Sequence, residues 1–280
     1  MKIIKSPDEL QKTVLNFIKK NKTVGLVPTM GALHPGHISL IKKSVSQNDV
    51  TVVSVYVNPI QFAPNEDYNK YPRPIKSDIE ICKQNKVDFL FLPTDDTLYD
   101  KNFSTYVTVE KLSSIMCGVT RPTHFRGVAT VVTKLLNTVM PDKAYFGLKD
   151  YQQYIIIKRA VKDLNIRTKI VGCPIVREKS GLAMSSRNSY LSDEAKQEAA
   201  NIYKSLCVAK QKFREGKKLE SINKELVKNI LKIPGSKIDY VQLRNADTLQ
   251  PATDTDKKVV IAVAVKTGGV RLIDNVVCKK

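Results

Sequence analysis

Apolar positions change their period several times along the chain, and each change marks an element. Leu10, Val14, Phe17 and Ile18 recur at helical spacing behind Ser6-Pro7-Asp8-Glu9. That quartet is a strong helix start, with Ser at the cap, Pro at the first helical position and Glu three residues after the cap. Short, almost unbroken apolar runs follow at 24–27, 50–57 and 87–92. Such runs are expected of strands covered on both faces. Helical stretches are predicted at 75–85, 128–139 and 151–164, with further strands at 143–147 and 168–176. Strand and helix alternating in this rhythm predict a parallel sheet with right-handed crossovers. Beyond Ser192 the pattern changes: 193–216 and 219–233 read as amphipathic helices rich in Lys and Glu. Short strands at 237–243, 257–265 and 270–274 then alternate with turns such as Gly268-Gly269. The expected class is α/β, with a parallel-sheet domain over 1–176 and a smaller α+β domain with antiparallel strands over 177–280.

Candidate chemistry gathers where predicted strands give way to helices. Residues 23–41, TVGLVPTMGALHPGHISLI, run from a strand through a turn into a helix and hold two of the three histidines, His34 and His37. A turn of this kind is expected to present free backbone N–H groups and the positive end of a helix to an anion. Gly36 lets a ligand approach the backbone, and an imidazole can donate to oxygens that gain charge in a reaction. A zinc pair is disfavoured, because no Cys, Asp or Glu stands near enough in sequence to complete a ligand set. Gln61 follows the 50–57 strand, where ligands of parallel sheets bind, and its amide suits a hydroxyl or carboxylate. The loop up to Pro74 is a candidate cover. Arg121, His124 and Arg126 sit before the 128–139 helix, where a functional and a purely structural loop weigh equally. Lys149 lies beside Gly147 at another strand-to-helix turn, with Gln153 one turn further on. Ser185-Ser186-Arg187 combines two hydroxyls with a guanidinium, a compact phosphate clamp, favoured here over a simple helix-capping loop.

Composition removes several classes. The 280 residues are 42% hydrophobic, and no apolar run is long enough to span a bilayer. The N-terminus lacks the apolar core of a secretion signal. The five cysteines form no C-x-x-C pair, which points to reduced thiols in a cytoplasmic protein. Net charge is +19, but the lysines are spread through the chain with no arginine-rich arm and no aromatic stacking motif. A lysine-rich surface without a nucleic-acid partner is the better reading.

H-x-G-H after a strand resembles the nucleotide-binding signature of the nucleotidyltransferase superfamily. The full set resembles the pantoate–β-alanine ligase family: PTMGALHPGH (28–37), VNPIQF (57–62), RPTHFRGV (121–128), YFGLKDYQQ (145–153) and VREKSGLAMSSRNSYL (176–191). The resemblance implies a Rossmann-like first domain and a smaller second domain covering the active site. It implies ATP-dependent condensation of (R)-pantoate with β-alanine through a pantoyl adenylate, and a homodimer. Met30, Gly31, Ala32, Leu33, His34, Pro35, Gly36 and His37 would hold the nucleotide, with His37 as proton donor. Gly147, Leu148, Lys149, Asp150, Met184, Ser185, Ser186, Arg187 and the backbone of Val176 would complete the ATP site. Gln61 and Gln153 would grip pantoate, and Gln61 would also touch β-alanine. Mg²⁺ would ride mainly on the phosphates, with Asp78 as the candidate protein contribution. Many relatives carry Glu at the position of Leu148, so a role that needs a carboxylate there does not carry over to this chain.

Overall fold

Parallel pairing is what the unbroken apolar runs produce. A computed structural model describes residues 1–64 and 66–280 and groups them into two units. The first comprises Met1–Leu148 and Ile156–Pro174, the second Lys149–Ile155 and Ile175–Lys280. The division therefore falls two residues before the expected boundary, and the short segment opening at Lys149 groups with the second unit.

In the first unit the chain runs β1 (Lys2–Ile4), α1 (Pro7–Ile18), β2 (Val24–Thr29), α2 (Pro35–Gln47), β3 (Val50–Val55), α3 (Ile75–Gln84) and β4 (Phe89–Phe91). The short helices α4 (Asp95–Leu98) and α5 (Cys117–Thr120) follow, then α6 (His124–Val139), β5 (Lys143–Gly147), α7 (Tyr151–Asp163, of which the residues from Ile156 on belong to this unit) and β6 (Lys169–Cys173). The strands form one sheet in the order β1-β4-β3-β2-β5-β6, every pair parallel. All six residues of β3 are buried, as a strand covered on both faces requires.

The sheet opens where the chain reverses direction across it, between β2 and β5. Their pairing is confined to Gly25 with Lys143 and Leu26 with Ala144. On its other side β2 stays paired with β3 through Thr29, and β5 stays paired with β6 through Gly147. Pro28 explains the asymmetry, because it has no N–H to give a ladder on the β5 side. The carboxyl ends of β2 and β5 thus part at the switch point, the place where open α/β sheets bind ligands.

Helix α2 is seated on β2 without clearance. A Cβ on Gly25 would lie 2.2 Å from Ser44 Oγ and 2.5 Å from Asn48 Nδ2. The Ser44 and Thr51 hydroxyls are 2.9 Å apart, and Asn48 Nδ2 donates to the Tyr145 oxygen at 2.8 Å. These contacts fix the far end of the helix that begins at the two histidines.

Helix α6 starts four residues earlier than the sequence pattern predicts. Gly127 reads as a loop residue but serves close approach: a Cβ there would sit 2.4 Å from the Ile60 carbonyl oxygen. The helix is pressed against the backbone that carries Gln61.

In the second unit, α8 (Asp193–Arg214) and α9 (Leu219–Leu231) pack on an antiparallel sheet of β7 (Lys237–Asn245), β8 (Lys258–Thr267) and β9 (Val270–Lys279). Leu206, Phe213, Leu226 and Ile230 meet Val259, Ile261, Val263 and Val265 in its core. Ser192 caps α8 by accepting from Ala195 N–H. No helix among the described residues is long and apolar enough to cross a membrane.

Substituting Gly25→Ala is expected to cost about 1–3 kcal/mol by overpacking the β2–α2 seat. Urea unfolding checks this: the midpoint should fall while the slope stays unchanged.

Candidate active site

Thr29 closes β2 and begins a turn in which most amides are engaged within the protein. Thr29 Oγ1 donates to the Ser54 carbonyl at 2.8 Å and accepts from Gly31 N–H at 3.1 Å. Gly31 and Ala32 follow at φ +83° and +50°. The second is a left-handed alanine, a conformation that costs about 1–2 kcal/mol without a neighbour to hold it. Asp78 holds it. Its Oδ2 accepts from Ala32 N–H at 3.0 Å and its Oδ1 from Leu33 N–H at 2.8 Å.

The histidines then cap the helix they belong to. His34 is the N-cap of α2, and its Nδ1 accepts from Gly36 N–H at 3.1 Å. His37 Nδ1 in turn accepts from His34 N–H at 3.4 Å, closing a reciprocal capping box. The rings lie 4.0 Å apart, tilted by 36°. A nitrogen that accepts from an amide cannot carry hydrogen itself, so each imidazole has its hydrogen on Nε2. The expectation of free amides is met by fewer groups than the turn contains. The N–H groups of Gly31, Ala32, Leu33, His34 and Gly36 are taken by Thr29, Asp78, His37 and His34. Pro35 has none. The amides bonded behind the rings polarise the Nε2–H of each imidazole.

Gln61 is buried and tied to that turn. Its Nε2 lies 2.7 Å from Met30 Sδ, and its Oε1 accepts from Asn58 Nδ2 at 3.2 Å. Asn58 is itself fully engaged, donating to the Gly127 carbonyl and accepting from the Tyr99 hydroxyl at 2.9 Å. His124 Nδ1 lies 2.9 Å from the Gln61 carbonyl, which makes that nitrogen the donor. The Arg121 guanidinium donates to both carboxylate oxygens of Glu66, at 2.5 and 2.6 Å. Burial raises the Glu66 carboxyl, but bonding to Arg121 and the charges of Arg121 and His124 outweigh it and hold it below its usual range. The geometry thus gives Arg121 and His124 a fixing role around the Gln61 loop.

Asp78 departs from expectation. Both its oxygens serve the turn, its exposure is 1%, and no Lys or Arg pairs with it among the described residues. Burial pushes its carboxyl above the ordinary range, while the Leu33 and Ala32 amides pull against that shift. Each oxygen is held by one amide of the turn.

Gly147 and Leu148 end the first unit at the tip of β5, and space for a Cβ at Gly147 is open. The remaining expected residues belong to the second unit. The Lys149 carbonyl accepts from Asn275 Nδ2 at 2.9 Å, and the Tyr151 hydroxyl donates to the Ala246 carbonyl at 2.9 Å. These bonds tie the segment to its own unit. Lys149 pairs with no carboxylate among the described residues, Asp150 is exposed, and Gln153 is half-buried on the first turn of α7.

Val176 and Met184 pair across a short hairpin, Met184 N–H donating to the Val176 carbonyl at 3.0 Å. Arg177 anchors it. Its guanidinium meets both oxygens of Asp274, at 2.7 and 2.9 Å, donates to the Gly181 carbonyl and lies 3.5 Å over the Tyr203 ring. Beyond the hairpin, Ser185 Oγ accepts from Arg187 N–H at 3.3 Å, and Asn188 Nδ2 donates to Glu178 and to the Ala183 carbonyl. Ser186 and Arg187 lie in the short 3-10 helix that Ser185 caps, Ser186–Tyr190.

Sequence reasoning missed Asn58, Tyr99, Asp274 and Asn275. Asn58 had a signal, its place at the end of β3. The others contact the site residues only across 41, 97 and 126 positions of sequence.

Comparisons with known proteins agree with this layout. The family model described as "Pantoate-beta-alanine ligase" matches residues 2–277. The chain is 54% identical over 280 residues to pantothenate synthetase of Endomicrobium trichonymphae, covering 100% of this chain and 99% of that one. It is 49% identical over 277 residues to the Thermosipho africanus enzyme of the same name, covering 99% and 100%. Among solved structures, pantothenate synthetase from Thermus thermophilus superposes with a TM-score of 0.93 at 38% identity, covering 99% of each chain. A pantoate–β-alanine ligase from Francisella tularensis, solved in complex with "Beta-gamma ATP" and β-alanine, has a TM-score of 0.80 at 38% identity, covering 99% and 97%. A parallel-sheet unit with paired, helix-capping histidines at its switch point, in a chain matched from end to end, belongs to the pantoate–β-alanine ligase family.

Proposed function

We propose that this chain uses ATP to condense (R)-pantoate with β-alanine. The pantoate carboxylate attacks the α-phosphorus, forming an acyl–phosphate bond and releasing pyrophosphate. The amine of β-alanine then attacks the acyl carbon, loses a proton and expels AMP. A carboxylate is a poor acyl electrophile, and adenylation supplies the leaving group without an enzyme nucleophile. What the protein adds is positioning and charge stabilisation.

The observation that carries this reading is the pair of capping imidazoles at the end of β2. With Nδ1 accepting from amides, Nε2–H is the group each ring can turn toward phosphate oxygens. His34 and His37 take the triphosphate, within the stretch from Met30 to His37 that cradles the nucleotide. Lys149, Ser185, Ser186 and Arg187 take phosphate oxygens as charge moves toward pyrophosphate, with Gly147, Leu148, Asp150, Val176 and Met184 lining the nucleotide through backbone or apolar contact. Leu148 contributes backbone only, since it has no carboxylate to offer. Gln61 holds pantoate and β-alanine, and Gln153 holds pantoate. Mg²⁺ arrives on the phosphates, since it prefers oxygen ligands and keeps much of its water.

The test is isotope exchange. Labelled pyrophosphate should enter ATP only when pantoate is present, and AMP release should require β-alanine as well. Exchange without pantoate, or exchange driven by an α-amino acid, refutes the assignment. His37→Ala and Lys149→Ala should each lower exchange by about 10²–10³-fold while the far-ultraviolet circular dichroism stays native. His34→Asn separates capping from catalysis, because Asn caps helices well but lacks the reach of Nε2. Its melting temperature should stay within a few degrees, roughly the effect of 0.5 kcal/mol, while exchange falls about a hundredfold.

A further inference from the structure

Holding a turn with a buried carboxylate is a costly arrangement when a hydroxyl suffices. Thr29 Oγ1 satisfies the Gly31 amide two positions away. Asp78 does the same for Ala32 and Leu33 from a different element, the first turn of α3, across more than forty residues. An ionised group this deeply buried normally demands a cation or a full set of donors. Here the donors are the turn's own amides, and no Lys or Arg pairs with the carboxylate among the described residues. The fit is mutual. Gly31 can have no side chain, because a Cβ would lie 2.8 Å from Asp78 Oδ2 and 2.9 Å from Val55 Cγ1. Ala32 is kept at φ +50° by the bond its amide makes to the same carboxylate. The residue after Leu33 is His34, whose amide and ring then set His37.

We propose that Asp78 is a positioning residue for the nucleotide step. By fixing the Ala32 and Leu33 amides it sets the place of His34, and through the capping box the place of His37, before ATP binds. No proton or electron passes through it. Because α3 follows the loop that begins after Gln61, the same carboxylate ties that returning segment to the histidine turn. The inference rests on the reading that the histidine turn meets the triphosphate.

Asp78→Asn is the direct test. The amide retains one acceptor but sets an NH₂ against the second N–H, so the turn loses one of its two bonds. The KM for ATP should rise at least tenfold, while the KM for pantoate changes less than twofold and the Mg²⁺ level giving half-maximal rate at saturating ATP stays constant. A merely structural residue would lower the amount of active enzyme, cutting kcat and leaving both KM values in place; that result overturns the proposal. A rise in the Mg²⁺ requirement overturns it too, in favour of a metal contact. Should the variant fail to fold, amide exchange on the unaltered protein decides. Ala32 and Leu33 should exchange at least a hundredfold more slowly than an unstructured peptide, and unprotected exchange at both removes the clasp. The functional reading is scored separately, by pantoate-dependent pyrophosphate exchange in the unaltered enzyme.

Discussion

Amides at the start of a helix must bond to something, and here they bond to the two imidazoles of the helix's own first turn. That single requirement orders the histidine turn. Because His34 and His37 accept from amides at Nδ1, those bonds place the hydrogen of each ring on Nε2. The positive end of α2 then reaches outward through the rings rather than through bare peptide groups. A phosphate oxygen meeting Nε2–H would meet the outer end of a chain of aligned hydrogen bonds, each polarising the next. A nest of free amides could bind an anion as well, but would hold it against the backbone. Imidazoles move the contact several ångströms outward, which suits a site where a second reactant must reach the phosphorus.

Such an arrangement works only if the turn does not shift, and its support comes from distant parts of the sequence. Thr29 ties the turn to β3 through Ser54, and Asp78 ties it to α3. The far end of α2 is seated on Gly25 and held through Ser44 and Asn48. Pro28 ends the ladder toward β5 at the level where an opening is wanted, while pairing toward β3 continues. One proline thus makes the crevice, and bonds from neighbouring elements keep the turn beside it in place.

Much of this was legible from local pattern, and the rest depended on contacts that pattern does not encode. Continuous apolar runs reveal strands buried on both faces, and Ser6 and Ser192 announce the helices they cap. The strand β1 is three residues long, too short to show a period, and exists because Lys2–Ile4 pairs with β4. Gly127 looks like a helix breaker, yet stands inside α6 because the Ile60 backbone leaves no room for a Cβ. The histidines and Gln61 stood out by their place after strands. Asp78 was visible only as an acid in a helix, and its acidity suggested a metal. Its partners in the structure include two amides more than forty residues away, which a linear reading does not show.

The arginines of the second unit show how placement separates residues of one chemistry. Arg177 and Arg187 stand ten positions apart on either side of a hairpin, and either could be read as a phosphate ligand. Arg177 is bidentate to Asp274, bonded to the Gly181 carbonyl and stacked on Tyr203. Freeing it would strand a carboxylate that is 6% exposed, a cost of about 3–5 kcal/mol for a broken buried pair. A phosphate contact at Arg177 would have to exceed that loss. Where a reaction proceeds without a covalent enzyme intermediate, rate depends on where charges are held. The chain commits the Arg177 guanidinium to fixing the hairpin that leads into Ser185.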